Sequence, residues 1–187
     1  MEATWAVVHR DGVGGATVRA VAAEAGWSPG ALRYYFPTQA GLLAFAMELV
    51  ADRVGARVAA LEPAADVRDE VEQRLEQVLP LDDERRTEME VWLAFWAHAQ
   101  TDPGSREQRE STQRSLRLFV QESLDALARS GQLRPELELE VETTRLHALI
   151  DGLALHGVTD PKGITPQRMR TALRDHLDSL ASASAPS

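Results

Sequence analysis

Apolar residues recur at three- and four-residue spacing along almost the whole chain, and no stretch alternates apolar and polar side chains as a half-buried strand would. Val18, Val21, Ala22 and Ala25 form one such stripe, and Leu42, Phe45, Ala46, Leu49 and Val50 a second. Val67/Val71/Leu75/Val78, Met89/Trp92/Leu93/Trp96, Leu116/Phe119/Val120/Leu124/Leu127, Leu146/Leu149/Ile150/Leu153/Gly157 and Met169/Leu173/His176/Leu177/Leu180 continue the pattern. Pro63, Pro80, Pro103, Pro135, Pro161 and Pro166 stand between these stripes or at their starts, where a missing N–H costs nothing. The periodicity predicts an all-α chain of about nine helices, near 2–11, 17–25, 28–35, 38–61, 66–79, 83–100, 103–130, 136–158 and 166–180. The small, polar tail 181–187 is expected to be disordered.

The first three helices are short and the rest longer, and charge divides the same way. In residues 1–40, Arg10, Arg19 and Arg33 balance Glu2, Asp11 and Glu24, so the whole net charge of −9 falls on the remainder. An acidic body argues against indiscriminate nucleic-acid binding, and a neutral N-terminal segment joined to it suggests two separate tasks. The absence of cysteine excludes a disulfide scaffold, a thiolate metal site and a cysteine nucleophile. The uncharged run from Tyr34 to Met47 contains Pro37 and Gln39 and is too short to span a membrane. No basic segment opens the chain as a signal peptide would, so the expected location is cytoplasmic, with no membrane partner.

Residues 17–39, TVRAVAAEAGWSPGALRYYFPTQ, hold the most specific local signals. Thr17 suits an N-cap, and Ala22, Ala23 and Ala25 keep the following helix thin enough for a close crossing. Gly26 stands where a left-handed C-cap is expected; after Trp27, Ser28 is a second N-cap with Pro29 at the first helical position. The unit is a helix, a short turn and a second short helix, which can enter a major groove. Pro29, Gly30 and Ala31 permit close approach, Leu32 and Phe36 point to the core, and Arg33 and Tyr34 face outward. Arg33 can donate two bonds to a guanine edge, and Tyr35 can reach a phosphate. Thr38 caps the next helix, whose free N–H groups also suit a phosphate.

This stretch resembles the DNA-binding domain of TetR-family transcriptional regulators. Thr17, Arg19, Val21, Ala22, Ala25, Gly26, Ser28, Gly30, Leu32, Phe36, Thr38 and Leu42 match the family pattern at unbroken spacing. The segments Trp92–Pro103 and Leu146–Val158 are similar to the choline-sensing repressor subgroup. The resemblance implies an N-terminal three-helix helix-turn-helix domain (1–45) and a C-terminal helical bundle (46–180) for ligand binding and dimerisation. It implies DNA contacts from Thr17, Arg19, Ser28, Pro29, Gly30, Arg33, Tyr34, Tyr35, Thr38 and Gln39. It further implies a homodimer on a double-stranded operator with two-fold symmetry, released by a small-molecule effector. The last two helices would form the dimer interface through Leu146, Leu149, Ile150, Leu153, Met169, Leu173 and Leu177. The sequence departs from the pattern at Gln39, where the family usually carries lysine. It also opens about ten residues later than is usual, which leads to the expectation that translation starts upstream or that Met1 lies inside a longer helix.

Met89, Trp92, Phe95, Trp96 and His98 crowd one predicted helix, and Phe119 would approach them from the next. Such a surplus of aromatics fits the wall of a largely apolar effector pocket as well as a plain core. Asp151 is four residues after His147 and can pair with it, or can face an effector cation. The acids Asp82, Asp83, Glu84, Glu88 and Glu90 are interleaved with Arg85 and Arg86 at a helix start, where they favour the dipole more than a metal. His9, His98, His147, His156 and His176 show no metalloprotease spacing, and there is no nucleophile elbow or phosphate-binding loop. The chain is therefore read as a ligand-responsive DNA-binding repressor with no catalytic residues, cofactor or metal. A helical interaction protein that has lost DNA binding, and a small helical enzyme, are the rival readings.

Overall fold

Six of the helix starts are fixed by a side-chain oxygen that accepts a backbone N–H of the first turn, and these caps set where the chain changes direction. The computed structural model describes residues 2–100, 102, 104 and 106–182. Among them lie nine helices: α1 (Glu2–Gly15), α2 (Val18–Glu24), α3 (Pro29–Tyr35), α4 (Gln39–Ala59), α5 (Val67–Glu76), α6 (Asp83–Ala99), α7 (Arg106–Arg129), α8 (Leu139–Thr159) and α9 (Pro166–Leu180). Thr17, Ser28, Thr38, Asp66, Asp82 and Thr165 cap α2 to α6 and α9. None of these helices is long and apolar enough to cross a membrane.

The expected all-α architecture is the observed one, with differences at helix ends. Helix α1 is kinked at Gly12, whose φ of 71° lies in the left-handed region, so the expected end at residue 11 marks the kink and one more turn follows. Helix α5 stops at Glu76 because Gln77, Val78 and Leu79 donate to carbonyls three residues back, tightening the chain ahead of Pro80. Pro103, the expected start of α7, lies outside the described residues. Ala181 and Ser182 are held in place, contrary to the expected disorder. Leu133 pairs with Ala181 in an isolated antiparallel bridge, Arg134 N–H donates to Leu180 O, and Ser182 N–H donates to Gln132 O. Residues 183–187 of that expected tail lie outside the described residues.

Two apolar clusters hold the molecule together. The first gathers Val7 and Val8 of α1, Val21 and Ala22 of α2, Leu32 of α3, and Leu42, Leu43, Ala46 and Met47 of α4. Helix α6 completes it with Val91, Phe95 and Ala99, so the N-terminal unit is closed by a helix of the body. The second cluster is built from α5 and α7–α9, with Leu75, Leu124, Leu146, Ile150, Leu173 and Leu177 almost fully buried.

This corrects the expected dimer contact. Leu146, Ile150, Leu153, Met169, Leu173 and Leu177 are all buried within the single chain, and Leu149 packs partly against the same core. The apolar stripes of α8 and α9 are consumed by packing the bundle itself. The outward face of α8 carries Val141 and Leu155 instead, both more than a third exposed. Gly157 of α8 serves close packing inside the chain, since a Cβ there would sit 2.8 Å from Pro80 Cγ and 2.9 Å from Met169 Sδ.

Candidate nucleic-acid interface and ligand cavity

The turn between α2 and α3 follows from Gly26. With φ at 68°, Gly26 donates to Ala23 O while Trp27 N–H reaches back to Ala22 O at 2.8 Å, so both hydrogen bonds of a Schellman cap close α2. Ser28 then restarts the helix, its Oγ accepting from Ala31 N–H at 3.1 Å. Leu32 is buried and Phe36 packs partly against the same cluster, which orients α3. Thr17, Arg19, Trp27 to Ala31, Arg33 to Tyr35, Pro37 and Thr38 are all exposed, forming one continuous surface.

Arg19 and Arg33 flank a groove that Thr17, Val18 and Pro37 also line. Neither arginine has an ion pair or hydrogen bond among the described residues, so both guanidinium groups are free to meet a base edge or phosphate. Thr17, Ser28 and Thr38 have a double capacity: each hydroxyl oxygen accepts a capping N–H, and each O–H proton remains available to a phosphate oxygen. Tyr34 is 82% exposed and meets Tyr35 edge-on at 5.4 Å. Trp27, which the sequence reading leaves without a role, is half exposed and packs on Tyr35 with ring centroids 5.7 Å apart. A lone large aromatic in a turn is the local signal that could have found it. Gln39 opens α4, and its side chain lies outside what the structure describes.

The second feature is a cavity of about 400 Å³ bounded by α4 to α8. Of the expected lining residues, Met89, Trp92, Phe119 and Asp151 are in its wall, while Phe95 and Trp96 are not. Phe95 points to the opposite face of α6 with Val91 and Ala99, at i−4 and i+4, and fills the N-terminal core. Trp96 stacks on Trp92 at 5.5 Å with planes only 7° apart, and Arg109 lies 5.8 Å from its centroid on α7's side. Much of the remaining wall was missed by sequence reasoning. Val50, Val54 and Val58 of α4 supply one side, and Arg74 of α5 with Gln77 and Val78 of the turn after it another. The four-residue valine spacing was legible, but it reads equally as a continuation of the stripe that packs the N-terminal core.

The polar groups of the wall differ in how they are held. Glu88, 6% exposed at its side chain, accepts from Arg57 through both carboxylate oxygens, at 2.6 and 2.5 Å. The Glu88 bond raises the Arg57 pKa above its ordinary value. Arg57 also donates to Gln77 O, and Arg53 pairs with Glu84 at 2.7 Å while lying over the Trp5 ring of α1 at 4.2 Å. One connected set of charges therefore joins α1, α4 and α6 beside the cavity. Asp151, the expected partner of His147, lies 3.6 Å from its Nε2, and burial pushes its carboxyl above the usual range against the opposing pull of His147. The acidic start of α6 acts as expected of a cap: Asp82 accepts from Arg85 N–H at 2.8 Å and pairs with its guanidinium. No group of three or more potential metal ligands occurs among the described residues.

Two segments of the chain match models of known families. Residues 1–46 match the model of the bacterial regulatory proteins of the tetR family, and residues 67–182 match that of the BetI-type transcriptional repressor C-terminal domain. The chain is 36% identical over 181 residues to the HTH-type transcriptional regulator PksA of Bacillus subtilis (strain 168), covering 96% of this chain and 86% of that protein. A transcriptional regulator of Rhodococcus sp. RHA1 superposes with a TM-score of 0.78 at 31% identity, covering 98% of this chain and 96% of the other. A transcriptional regulator from Saccharomonospora viridis, solved in complex with choline, gives a TM-score of 0.79 at 25% identity, covering 97% and 95% of the two chains. Both matches and the 36% identical relative show that the chain belongs to the TetR family of transcriptional regulators, with a BetI-type C-terminal domain.

Proposed function

We propose that the protein is a cytoplasmic repressor that binds a two-fold symmetric operator as a homodimer and leaves it when a small, largely apolar effector fills the cavity. The observation that carries this reading is helix α4. Its first turn stands at the DNA-facing surface, capped by Thr38, and its later turns line the cavity through Val50, Val54 and Val58. A ligand that pushes on those valines, or on Met89 and Trp92 of α6, acts on helices that also pack the helix-turn-helix unit. The ligand must favour the DNA-free arrangement, and by linkage it weakens DNA binding by the same factor by which DNA weakens ligand binding.

Within this reading Arg33 reads a base, Arg19, Tyr34, Tyr35 and Gln39 serve the backbone, and Pro29 and Gly30 let α3 approach closely. The chain acts as a regulator and not as an enzyme, in keeping with its relatives. The test is a mobility shift with the DNA upstream of the protein's own gene. Retardation of a palindromic segment with half-sites about one helical turn apart or somewhat more supports the proposal. Failure to retard that DNA or a library of random duplexes would favour a helical interaction protein without DNA binding.

A further inference from the structure

Four charged side chains line the cavity, and three of them have a close partner: Asp151 stands 3.6 Å from His147, and Arg85 and Glu88 are tied more tightly. Arg85 is held by Asp82 at 2.8 Å and donates to Glu76 O, while Glu88 is held through both oxygens by Arg57. Arg74 is different. Its nearest acid, Glu122, is 3.9 Å away with a side chain two-thirds exposed, and Arg74 Nε is buried with no hydrogen-bond partner. The guanidinium lies over Phe119, 5.3 Å from the ring centroid, at the cavity wall. A buried N–H without an acceptor is costly, and a guanidinium offers two parallel donors that a carboxylate matches.

The aromatic surfaces argue in the same direction. A positively charged ligand needs open ring faces. One face of Phe119 is already taken by Arg74, and one face of Trp92 by Trp96. A cation set against Phe119 would stand beside a guanidinium. Thr112 and Ser115, the hydroxyls of the wall on α7, donate to their own helix at Gln108 O and Ser111 O, so they remain acceptors only by their lone pairs and do not compete for an anion.

Resting on the ligand-responsive reading above, we propose that the effector is an amphipathic carboxylate: its anionic group docks on Arg74 and its apolar body lies along Val54, Met89 and Trp92. Asp151, on α8, stands as a second polar point, whose carboxylate oxygens can accept from a hydroxyl or other donor on the ligand.

The experiment is isothermal titration of the full chain with three probes of equal length, about ten carbons each to suit a cavity of this class: decanoate, decanol and decyltrimethylammonium, all below micelle formation. Decanoate is expected to bind at least tenfold more tightly than the other two. Arg74→Gln is expected to erase that preference while leaving decanol binding unchanged, and Arg74→Lys to keep part of it. Thermal melting of each variant without ligand establishes that it is folded. Preferred binding of the ammonium or the alcohol, no binding of decanoate, or an unchanged preference in Arg74→Gln overturns the proposal. Those outcomes leave the regulator reading intact, because that reading stands or falls on operator binding without ligand.

Discussion

Arg33 is exposed and unpaired, so it contributes little to the fold and is available to the partner. Replacing it with alanine is expected to leave the melting temperature unchanged. In the DNA-binding reading the replacement costs about 1–3 kcal/mol of operator affinity per half-site, with discrimination relaxed at one base position. Competition mobility shifts with singly substituted operators measure this; equal weakening on every sequence would make Arg33 a phosphate contact. At this scale the sequence was legible where chemistry is local. Thr17, Ser28 and Thr38 are recognisable caps because a hydroxyl before a helical run satisfies an orphan N–H. It was illegible where one helix has two apolar faces. Phe95 and Trp92 are three residues apart on α6, yet Phe95 is buried in the N-terminal core while Trp92 only borders that core and lines the cavity. Only the position of α4 and α7 around α6 decides which. Arg74 could not be distinguished from any surface arginine, because its shortage of partners arises from residues more than forty positions away.

Between elements, the packing of α8 against α9 buries groups whose protonation matters. His176 of α9 is half-buried, with Nε2 lacking a hydrogen-bond partner, and faces Glu142 and Arg145 of α8. Burial lowers its pKa from 6.5; Glu142 opposes that shift and Arg145 adds to it. The unfolded chain therefore binds a proton that the folded chain resists. Stability is full above the unfolded value and declines as pH falls through 6.5, levelling off below the folded value. Urea unfolding at pH 7.5 and 5.5 is expected to show this loss, and His176→Gln, neutral at both, is expected to lose less. An equal loss in the variant would place the acid sensitivity in other groups. The helices themselves were legible from apolar spacing, and prolines marked most of their boundaries. The end of α5 was not, since it depends on the turn Gln77–Leu79, in which each N–H has shifted to a closer carbonyl. The bridge from Leu133 to Ala181 joins residues distant in sequence and has no local signature.

For the molecule as a whole, the proposed homodimer requires a surface that can meet a second copy. The expectation of an interface on the last two helices survives as a proposal, but its residues change. Leu173 has no exposed surface and packs the chain's own core, so Leu173→Asp is expected to unfold the protein and reports nothing about assembly. The outward face of α8 bears Val141, Ala148, Gly152 and Leu155, spaced seven, four and three residues apart, which keeps them on one stripe. A Cβ at Gly152 would meet nothing within 4 Å in the single chain, which leaves that point of the helix open to a neighbouring backbone. Leu155 is 38% exposed, so a charge there is tolerable to a monomer and not to a symmetric contact that would bury it twice. Sedimentation of the parent chain at micromolar concentration is expected to give a dimer. Leu155→Glu is expected to give a folded monomer with unchanged helical circular dichroism, and with loss of the affinity that comes from engaging two half-sites together. Gly152→Ala separates the two uses of the same helix. In a monomer the methyl adds helix propensity and stabilises by about 1 kcal/mol, whereas in a dimer that packs across Gly152 it weakens association. A parent that sediments as a folded monomer, or a Leu155→Glu variant that remains a dimer, would move the interface away from this face of α8.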